Sequence, residues 1–165
     1  MQQTQGQLLG FIRNLSGDDE EAHDLLQEVY IAAWRAAEQA KPPFTANAHE
    51  QECRRWLFHV AYCRVMSSLR HRSVIIWESL DPTSGRATTE ETPLSFEERL
   101  VEGDSLRQAL SKLEPTDIAC LLLRIIEGFS AVEIAQLTDI TPDAARKRLS
   151  RAMRRLRAAY FAEEE

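Results

Sequence analysis

Residues 130–157 read SAVEIAQLTDITPDAARKRLSRAMRRLR, which contains two helical patterns separated by a short turn. Ser130 and Glu133 have the spacing of a capping box, and this predicts that a short helix begins after Ser130. Thr141 and Pro142 stand in the order of an N-cap and a first helical residue, so a second helix is expected to follow them. A short helix, a tight turn and a second helix form the helix-turn-helix pattern, whose second helix lies in the major groove of DNA.

The second helix of this pattern is strongly cationic. Residues 141–157 hold seven of the chain's twenty Lys and Arg residues and one acid, Asp143, although the whole chain of 165 residues carries a net charge of −6. A solvated helix face normally mixes charges of both signs, because neighbouring turns then gain ion pairs. The concentration of positive charge therefore indicates an anionic partner. An ordinary helix with a solvated basic face is the alternative interpretation.

The acidic excess of the chain lies between two nearly neutral blocks. Residues 73–105 contain eight acids and two bases, and the segment 81–95, DPTSGRATTEETPLS, offers almost nothing apolar to bury. This composition predicts an acidic flexible linker at 74–103. Because the chain is 44% hydrophobic, it can form two small cores, in domains at 1–73 and 104–165.

Both blocks show the apolar spacing of helices, and neither shows the alternation of a strand. The first block is expected to hold three helices, the third of which ends at Arg72. The second block adds a helix that begins at Pro115, with Ile125 and Ile126 on its apolar stripe, ahead of the helix-turn-helix. The predicted fold class is all-α, with two small helical domains joined by the acidic linker.

The two blocks together resemble the sigma-70 family of bacterial transcription initiation factors, in the small extracytoplasmic-function (ECF) type that keeps regions 2 and 4. DLLQEVYIAAWRA at 24–36 is similar to the region 2 helix that binds core RNA polymerase, and RRWLFHVAYCRVMSSLRHR at 54–72 is similar to the segment that reads the minus-10 element. Residues 110–157 are similar to region 4 throughout. The resemblance implies a sigma factor that binds core RNA polymerase and directs promoter recognition and transcription initiation.

The resemblance also assigns residues to three surfaces. The expected polymerase-binding residues are Asp24, Gln27, Glu28, Tyr30 and Trp34. The expected minus-10 residues are Arg54, Arg55, Tyr62, Cys63, Arg64, Ser67, Arg70 and Arg72. The expected minus-35 residues are Thr141, Arg146, Lys147, Arg148, Ser150, Arg151, Arg154 and Arg155.

Within these surfaces the residues have different expected roles. For Tyr30 and Trp34 a place in the core is the favoured alternative. In region 4 we expect phosphate contacts, which set register without reading sequence, from Arg148, Arg154, Arg155 and Arg157. The resemblance implies that Arg146, Lys147, Ser150 and Arg151 face the minus-35 element, where arginine can pair with guanine. Cys63 and Ser67 stand where the family commonly has Asn or Asp, which leaves the minus-10 preference open.

Other functional classes find little support in the sequence. It contains no phosphate loop, nucleophile elbow or paired-carboxylate motif, so we do not expect an enzyme with a small-molecule substrate or a cofactor. His59 and Cys63 are four residues apart and could begin a metal site, but no second pair lies close in sequence, and we predict no metal. The chain lacks an apolar run long enough to span a membrane and lacks a signal peptide, which predicts a cytoplasmic protein.

Two other functions remain open at this point. A stand-alone helix-turn-helix regulator would account for the basic helix and leave the first block as a dimer or partner module. A sigma-like interaction protein without initiation activity would account for Cys63 and Ser67. The family resemblance adds an anti-sigma factor to the candidate partners, beside core polymerase and promoter DNA.

Overall fold

The structure is a computed structural model that describes residues 2–45, 49–78, 106 and 109–161. The helices with described ends are α1 (Gln2–Ser16), α2 (Asp19–Glu38), α3 (Glu50–Glu78), α4 (Pro115–Ile125), α5 (Ala131–Leu137) and α6 (Pro142–Phe161). These ranges contain no strand, which confirms the all-α class. Most of the linker predicted at 74–103 lies outside the described residues. Helix α3 nevertheless continues past the expected end at Arg72, as far as Glu78.

Helices α1, α2 and α3 pack against one another as a three-helix bundle. Gly17 separates α1 from α2 with a φ of +75°, a conformation that glycine adopts without steric cost. The Asp18 side chain then accepts a hydrogen bond of 2.8 Å from the Glu21 amide and caps α2. The bundle buries the apolar stripes of its helices, with Ile12, Val29 and Val65 fully enclosed.

The second block forms the helix-turn-helix that its sequence predicts. The Ser130 hydroxyl accepts from the Glu133 amide at 3.2 Å, and the Glu133 carboxylate accepts from the Ser130 amide at 2.8 Å, so the capping box is present. The Thr141 hydroxyl accepts from the Ala144 amide at 3.2 Å at the start of α6. Helix α4 ends at Ile125. Ile125 and Ile126 are exposed, contrary to the expected apolar stripe.

The two blocks share one core. The sequence suggested two separate small cores, but the buried apolar residues of both blocks form a single cluster. Helix α1 contacts α4, and α3 contacts both α4 and α5. Phe58 of α3 and Phe129 of the second block are both buried and meet edge to face, with ring centroids 5.4 Å apart. The blocks therefore bury apolar surface against each other as well as within themselves. In the described part of the chain, no helix is long and apolar enough to cross a membrane.

Candidate polymerase and nucleic-acid interfaces

The outer face of α2 carries the residues expected to bind polymerase. Asp24, Gln27 and Glu28 are all exposed, because the opposite face of α2 turns its apolar residues into the bundle. Trp34 is 63% exposed, so the expectation that it lies in the core is wrong. Tyr30 is half-buried against the core, and burial raises the pKa of its phenol.

Ile31 belongs to the same face of α2, although the sequence did not single it out. Its side chain is 46% exposed. It lies three residues after Glu28 and three before Trp34, a spacing that places all three on one side of a helix. The α2 face therefore changes along its length from acidic and amide groups to two exposed apolar side chains. That spacing was the signal in the sequence that could have identified Ile31.

Helix α6 presents most of its cations to solvent. The open depression along this helix is lined by Ala144, Arg146, Lys147, Arg148, Ser150, Arg151 and Arg154. Arg146 forms an ion pair with Asp143, one turn earlier on the same helix. Thr141 is exposed at the start of α6, where unpaired amides favour anions. The cationic side chains that line this depression are suited to contact the polyanionic surface of duplex DNA.

Arg148 and Arg155 differ from the other cations of α6, because both face Asp117 in the first turn of α4. Arg148 Nε lies 3.9 Å from Asp117 Oδ1, and Arg155 Nη1 lies 3.5 Å from Asp117 Oδ2. Asp117 is only 7% exposed, and a buried carboxylate requires such partners. Arg148 and Arg155 thus join α6 to α4 in this structure, and their contact with phosphate stays a prediction.

The cations of α3 are also engaged within the chain. Arg64 lies 3.4 Å from the Glu28 carboxylate. Arg72 donates to the Ser16 carbonyl at 3.0 Å and lies 3.2 Å from Glu21. Arg70 is exposed, and its Nε donates to the Met66 carbonyl of its own helix at 3.3 Å. The cationic track expected for single-stranded DNA is thus interrupted by internal ion pairs in this conformation.

Comparison with known proteins accounts for both blocks. The model of Sigma-70 region 2 matches residues 1–73, and the model of Sigma-70, region 4 matches residues 103–156. The chain belongs to the sigma-70 family. Among curated relatives, the chain is similar to the ECF RNA polymerase sigma factor SigE of Mycolicibacterium smegmatis, with 28% identity over 146 residues. The RNA polymerase sigma factor CarQ of Myxococcus xanthus is 28% identical over 151 residues.

The extent of these matches differs between relatives. They cover 87% of this chain for SigE and 90% for CarQ. The chain spans only 53% of the length of SigE, but 79% of CarQ. A solved structure of the sigma factor RpoE of Bartonella quintana, in complex with the anti-sigma factor NepR, matches with a TM-score of 0.70 and 22% identity. That match covers 94% of this chain and 91% of RpoE, and it supports the sigma-factor fold.

Regions 2 and 4 of this sigma-family chain meet at Arg54. Its guanidinium donates to the Glu127 carboxylate at 2.8 Å and to the Glu127 carbonyl at 3.1 Å. The Arg54 side chain is 18% exposed and the Glu127 side chain 3%. Burial raises the pKa of Glu127, an effect that the Arg54 charge opposes. The backbone hydrogen bond from Ser130 is the main cause that lowers the pKa of Glu133, and the charge of Arg55 adds a smaller effect. Arg54 is therefore withdrawn from solvent here, although the family resemblance assigns it to minus-10 DNA.

The remaining minus-10 residues of region 2 lie farther along α3. The Cys63 thiol is 3.8 Å from His59 Nε2, and partial burial raises the pKa of this thiol. Tyr62 is half-buried, and burial followed by the neighbouring Cys120 raises the pKa of its phenol. Ser67 is exposed. The described residues include no cluster of three His, Cys, Asp or Glu side chains that could hold a metal ion.

Proposed function

We propose that this chain is an ECF sigma factor that binds core RNA polymerase, recognises promoter DNA and directs transcription initiation. The main support for this proposal is that regions 2 and 4 occur on one chain in the order typical of the family. Each region presents a surface suited to its role, an acidic and apolar face on α2 and a cationic face on α6. An initiation factor of this kind works where the polymerase is, in the cytoplasm, and performs no catalysis of its own.

The polymerase surface is proposed to consist of Asp24, Gln27, Glu28, Ile31 and Trp34. Carboxylate and amide groups can form charge-assisted hydrogen bonds with a basic partner. An exposed tryptophan beside them is the kind of anchor that dominates binding energies at interfaces. Tyr30 supports this face from a half-buried position. The surface therefore combines electrostatic specificity with an apolar contact.

Charge reversal tests this surface. The double variant Asp24→Lys and Glu28→Lys should no longer co-elute with purified core polymerase, because the two introduced lysines would repel a basic partner surface. The matched control is Glu52→Lys, which makes the same charge change at an exposed site on α3. Thermal unfolding of each variant separates lost binding from lost folding. Unchanged polymerase binding by a folded double variant would contradict the assignment.

The promoter surface is proposed to divide between base readers and phosphate contacts on α6. Arg146 and Arg151 are the proposed readers, since arginine can pair bidentately with guanine at about 1 to 3 kcal/mol of discrimination. Arg154 is exposed and, unlike Arg148 and Arg155, faces no acid among the residues that the structure describes, so it is the better phosphate contact. Arg151→Ala should reduce sequence preference in run-off transcription. Arg154→Ala should weaken all sequences alike and flatten the salt slope by about one unit. Equal loss of preference in both variants would contradict the division.

Run-off transcription with purified core polymerase separates the three functional classes. A sigma factor should give specific transcripts and bind promoter DNA tightly only with the polymerase. A stand-alone regulator would bind its site unaided, and an interaction protein would bind polymerase without transcripts. RpoE of Bartonella quintana was solved with an anti-sigma factor, which supports including such an inhibitor among the partners of this chain.

A further inference from the structure

Cys63 and His59 form a thiol–imidazole pair on α3. They are one helical turn apart, and the Cys63 Sγ atom lies 3.8 Å from His59 Nε2. On the other side of the ring, His59 Nδ1 lies 2.9 Å from the carbonyl oxygen of Leu137, the last residue of α5. A carbonyl oxygen can only accept a hydrogen bond, so Nδ1 carries a hydrogen. In the neutral ring, Nε2 is therefore left as an acceptor for the Cys63 thiol.

This pair has the three parts of an activated nucleophile. A nucleophile, a base within hydrogen-bond reach and a third group that orients the base are the general signature of such a site. Here the Cys63 thiol is the nucleophile, the His59 imidazole is the base, and the Leu137 carbonyl orients the ring. Cys63 is exposed, whereas Cys53 is half-buried and Cys120 is buried. A reactant from solvent can therefore reach the one thiol that faces a base.

The charges around Cys63 indicate which kind of reactant suits the site. Burial raises the pKa of the thiol and Asp139 raises it further, whereas Arg70 and Arg64 lower it. Both arginines are exposed, so their guanidinium groups can attract an anionic reactant to the sulfur. Thiols exchange with disulfides through attack of the thiolate on a disulfide sulfur. A small anionic disulfide therefore matches the site in charge and in chemistry.

We propose that Cys63 is a site of reversible modification by small anionic disulfides, with His59 as its general base. His59 Nε2 takes the thiol proton while the Cys63 sulfur attacks one sulfur atom of the disulfide. A new S–S bond forms, and the old one breaks. The departing thiolate keeps the bonding electrons and takes the proton from His59. Cys63 is thereby oxidised to a mixed disulfide, the departing sulfur is reduced to a free thiol, and excess thiol reverses the step.

The modification acts on the expected minus-10 surface, and this consequence rests on the proposed function. The family resemblance places Cys63 on that surface, with Arg64 and Arg70 beside it along α3. A mixed disulfide with an anionic molecule adds bulk and negative charge at this position, and negative charge opposes the approach of a DNA strand. Modified protein should therefore lose promoter use until a reducing thiol restores Cys63.

The first test measures the modification of the full chain without polymerase, with oxidised glutathione as the probe. Mass spectrometry with peptide mapping should find one glutathione, on Cys63, in the folded protein. The matched control Cys53→Ser should react at the wild-type rate, since Cys53 faces the Pro43 carbonyl instead of a base. His59→Asn keeps an amide donor for the Leu137 carbonyl and removes the base, so at neutral pH it should slow the reaction by at least about tenfold.

The pH dependence separates a base from a merely structural histidine. As pH rises toward the pKa of the thiol, which lies above its ordinary 9.0, the rates of the wild type and His59→Asn should converge, because the thiolate then forms without a base. Equal rates at neutral pH, or a ratio of rates that is the same at every pH, would overturn the role of His59. Modification of Cys53 or Cys120 in place of Cys63 would overturn the site.

A second variant covers the case in which circular dichroism shows that His59→Asn is unfolded. Arg70→Gln should slow the reaction with oxidised glutathione and leave the reaction with a neutral disulfide unchanged. An equal effect on both probes would overturn the preference for an anionic reactant.

Run-off transcription then tests the consequence for promoter use. Glutathione-modified wild type and Cys53→Ser should lose their transcripts and regain them with excess reducing thiol, whereas treated Cys63→Ser should keep its own untreated level. Unchanged transcription by protein modified at Cys63 would overturn the consequence. If no form gives transcripts even before treatment, the proposed function fails, and the mass measurement still decides whether Cys63 is the modified site.

Discussion

Replacing Asp117 with asparagine should weaken folding and strengthen DNA binding at the same time. Asp117 lies in the first turn of α4 and is buried. Its carboxylate faces Arg148 at 3.9 Å and Arg155 at 3.5 Å. Asparagine keeps the size of the side chain and removes its charge. The substitution therefore releases two guanidinium groups from region 4 without opening a cavity.

The expected loss of stability comes from two sources. A charged acid in the first turn of a helix contributes about 0.3 to 1 kcal/mol through the helix dipole. The Arg155 side chain is 59% exposed and that of Arg148 29%, so solvent screening limits each ion pair to about 0.5 kcal/mol. The free energy of unfolding should thus fall by about 1 to 2 kcal/mol. For a protein of this size that corresponds to a decrease in melting temperature of about 2 to 8 °C.

The expected gain in DNA binding follows from the released charges. Each additional phosphate contact steepens the plot of log affinity against log salt by about 0.9 for duplex DNA. Two released arginines should therefore steepen the slope by up to about 1.8, and they should do so on promoter and non-promoter duplexes alike. A phosphate contact carries no direct sequence information, so the preference for the minus-35 element should decline.

Thermal unfolding and a salt titration of duplex binding by fluorescence anisotropy measure the two effects. The control is Asp139→Asn, the same substitution in region 4 at an exposed residue with φ of +54°, where asparagine is also accommodated. The control should change neither quantity appreciably. A lower melting temperature together with a flatter salt slope would refute the reasoning, because Asp117 would then be positioning Arg148 and Arg155 for DNA.

Two further predictions concern stability and thiol chemistry. Ser130→Ala should cost about 1 kcal/mol, because it removes the hydroxyl that accepts from the Glu133 amide. The Ser130 backbone amide, which this variant keeps, is the main cause that lowers the pKa of Glu133. The stabilisation by the Glu133 carboxylate should therefore be present at neutral pH and lost as pH falls through the lowered pKa in both proteins, and urea unfolding across that range checks the sign. Burial raises the pKa of the Cys120 thiol to about 11, so at pH 8 Ellman's reagent should modify exposed Cys63 first and Cys120 only on unfolding, and comparable rates for both in the folded protein would contradict this.

Local signals in the sequence were sufficient for most of the helices. The bonds of Ser130, Glu133 and Thr141 depend on residues three positions apart, and such contacts can be predicted from spacing alone. The spacing of the basic residues in α6 also indicates a contact with a neighbouring helix. Arg148 and Arg155 are seven residues apart and border the apolar stripe, so their approach to a neighbouring helix could have been anticipated.

The contact between regions 2 and 4 could not be predicted in this way. Arg54 and Glu127 are 73 residues apart in the chain, and no periodic pattern relates them. Phe129 lies in the connection between α4 and α5, where an apolar residue gives no indication of its partner. The position of Trp34 could not be predicted either. A large aromatic residue in an amphipathic helix is usually buried, and only the packing shows that Trp34 is exposed.

Several of the cations assigned to DNA already have a carboxylate partner in the free chain. The pairs are Arg54–Glu127, Arg64–Glu28, Arg146–Asp143 and Arg148–Asp117. A DNA phosphate that takes one of these arginines replaces an internal acid, so the net gain is only the difference between two ion pairs. Together with the net charge of −6, this exchange should keep the affinity for non-promoter DNA low. Glu28 belongs both to such a pair and to the proposed polymerase surface, so polymerase binding at Glu28 would release Arg64 for the promoter.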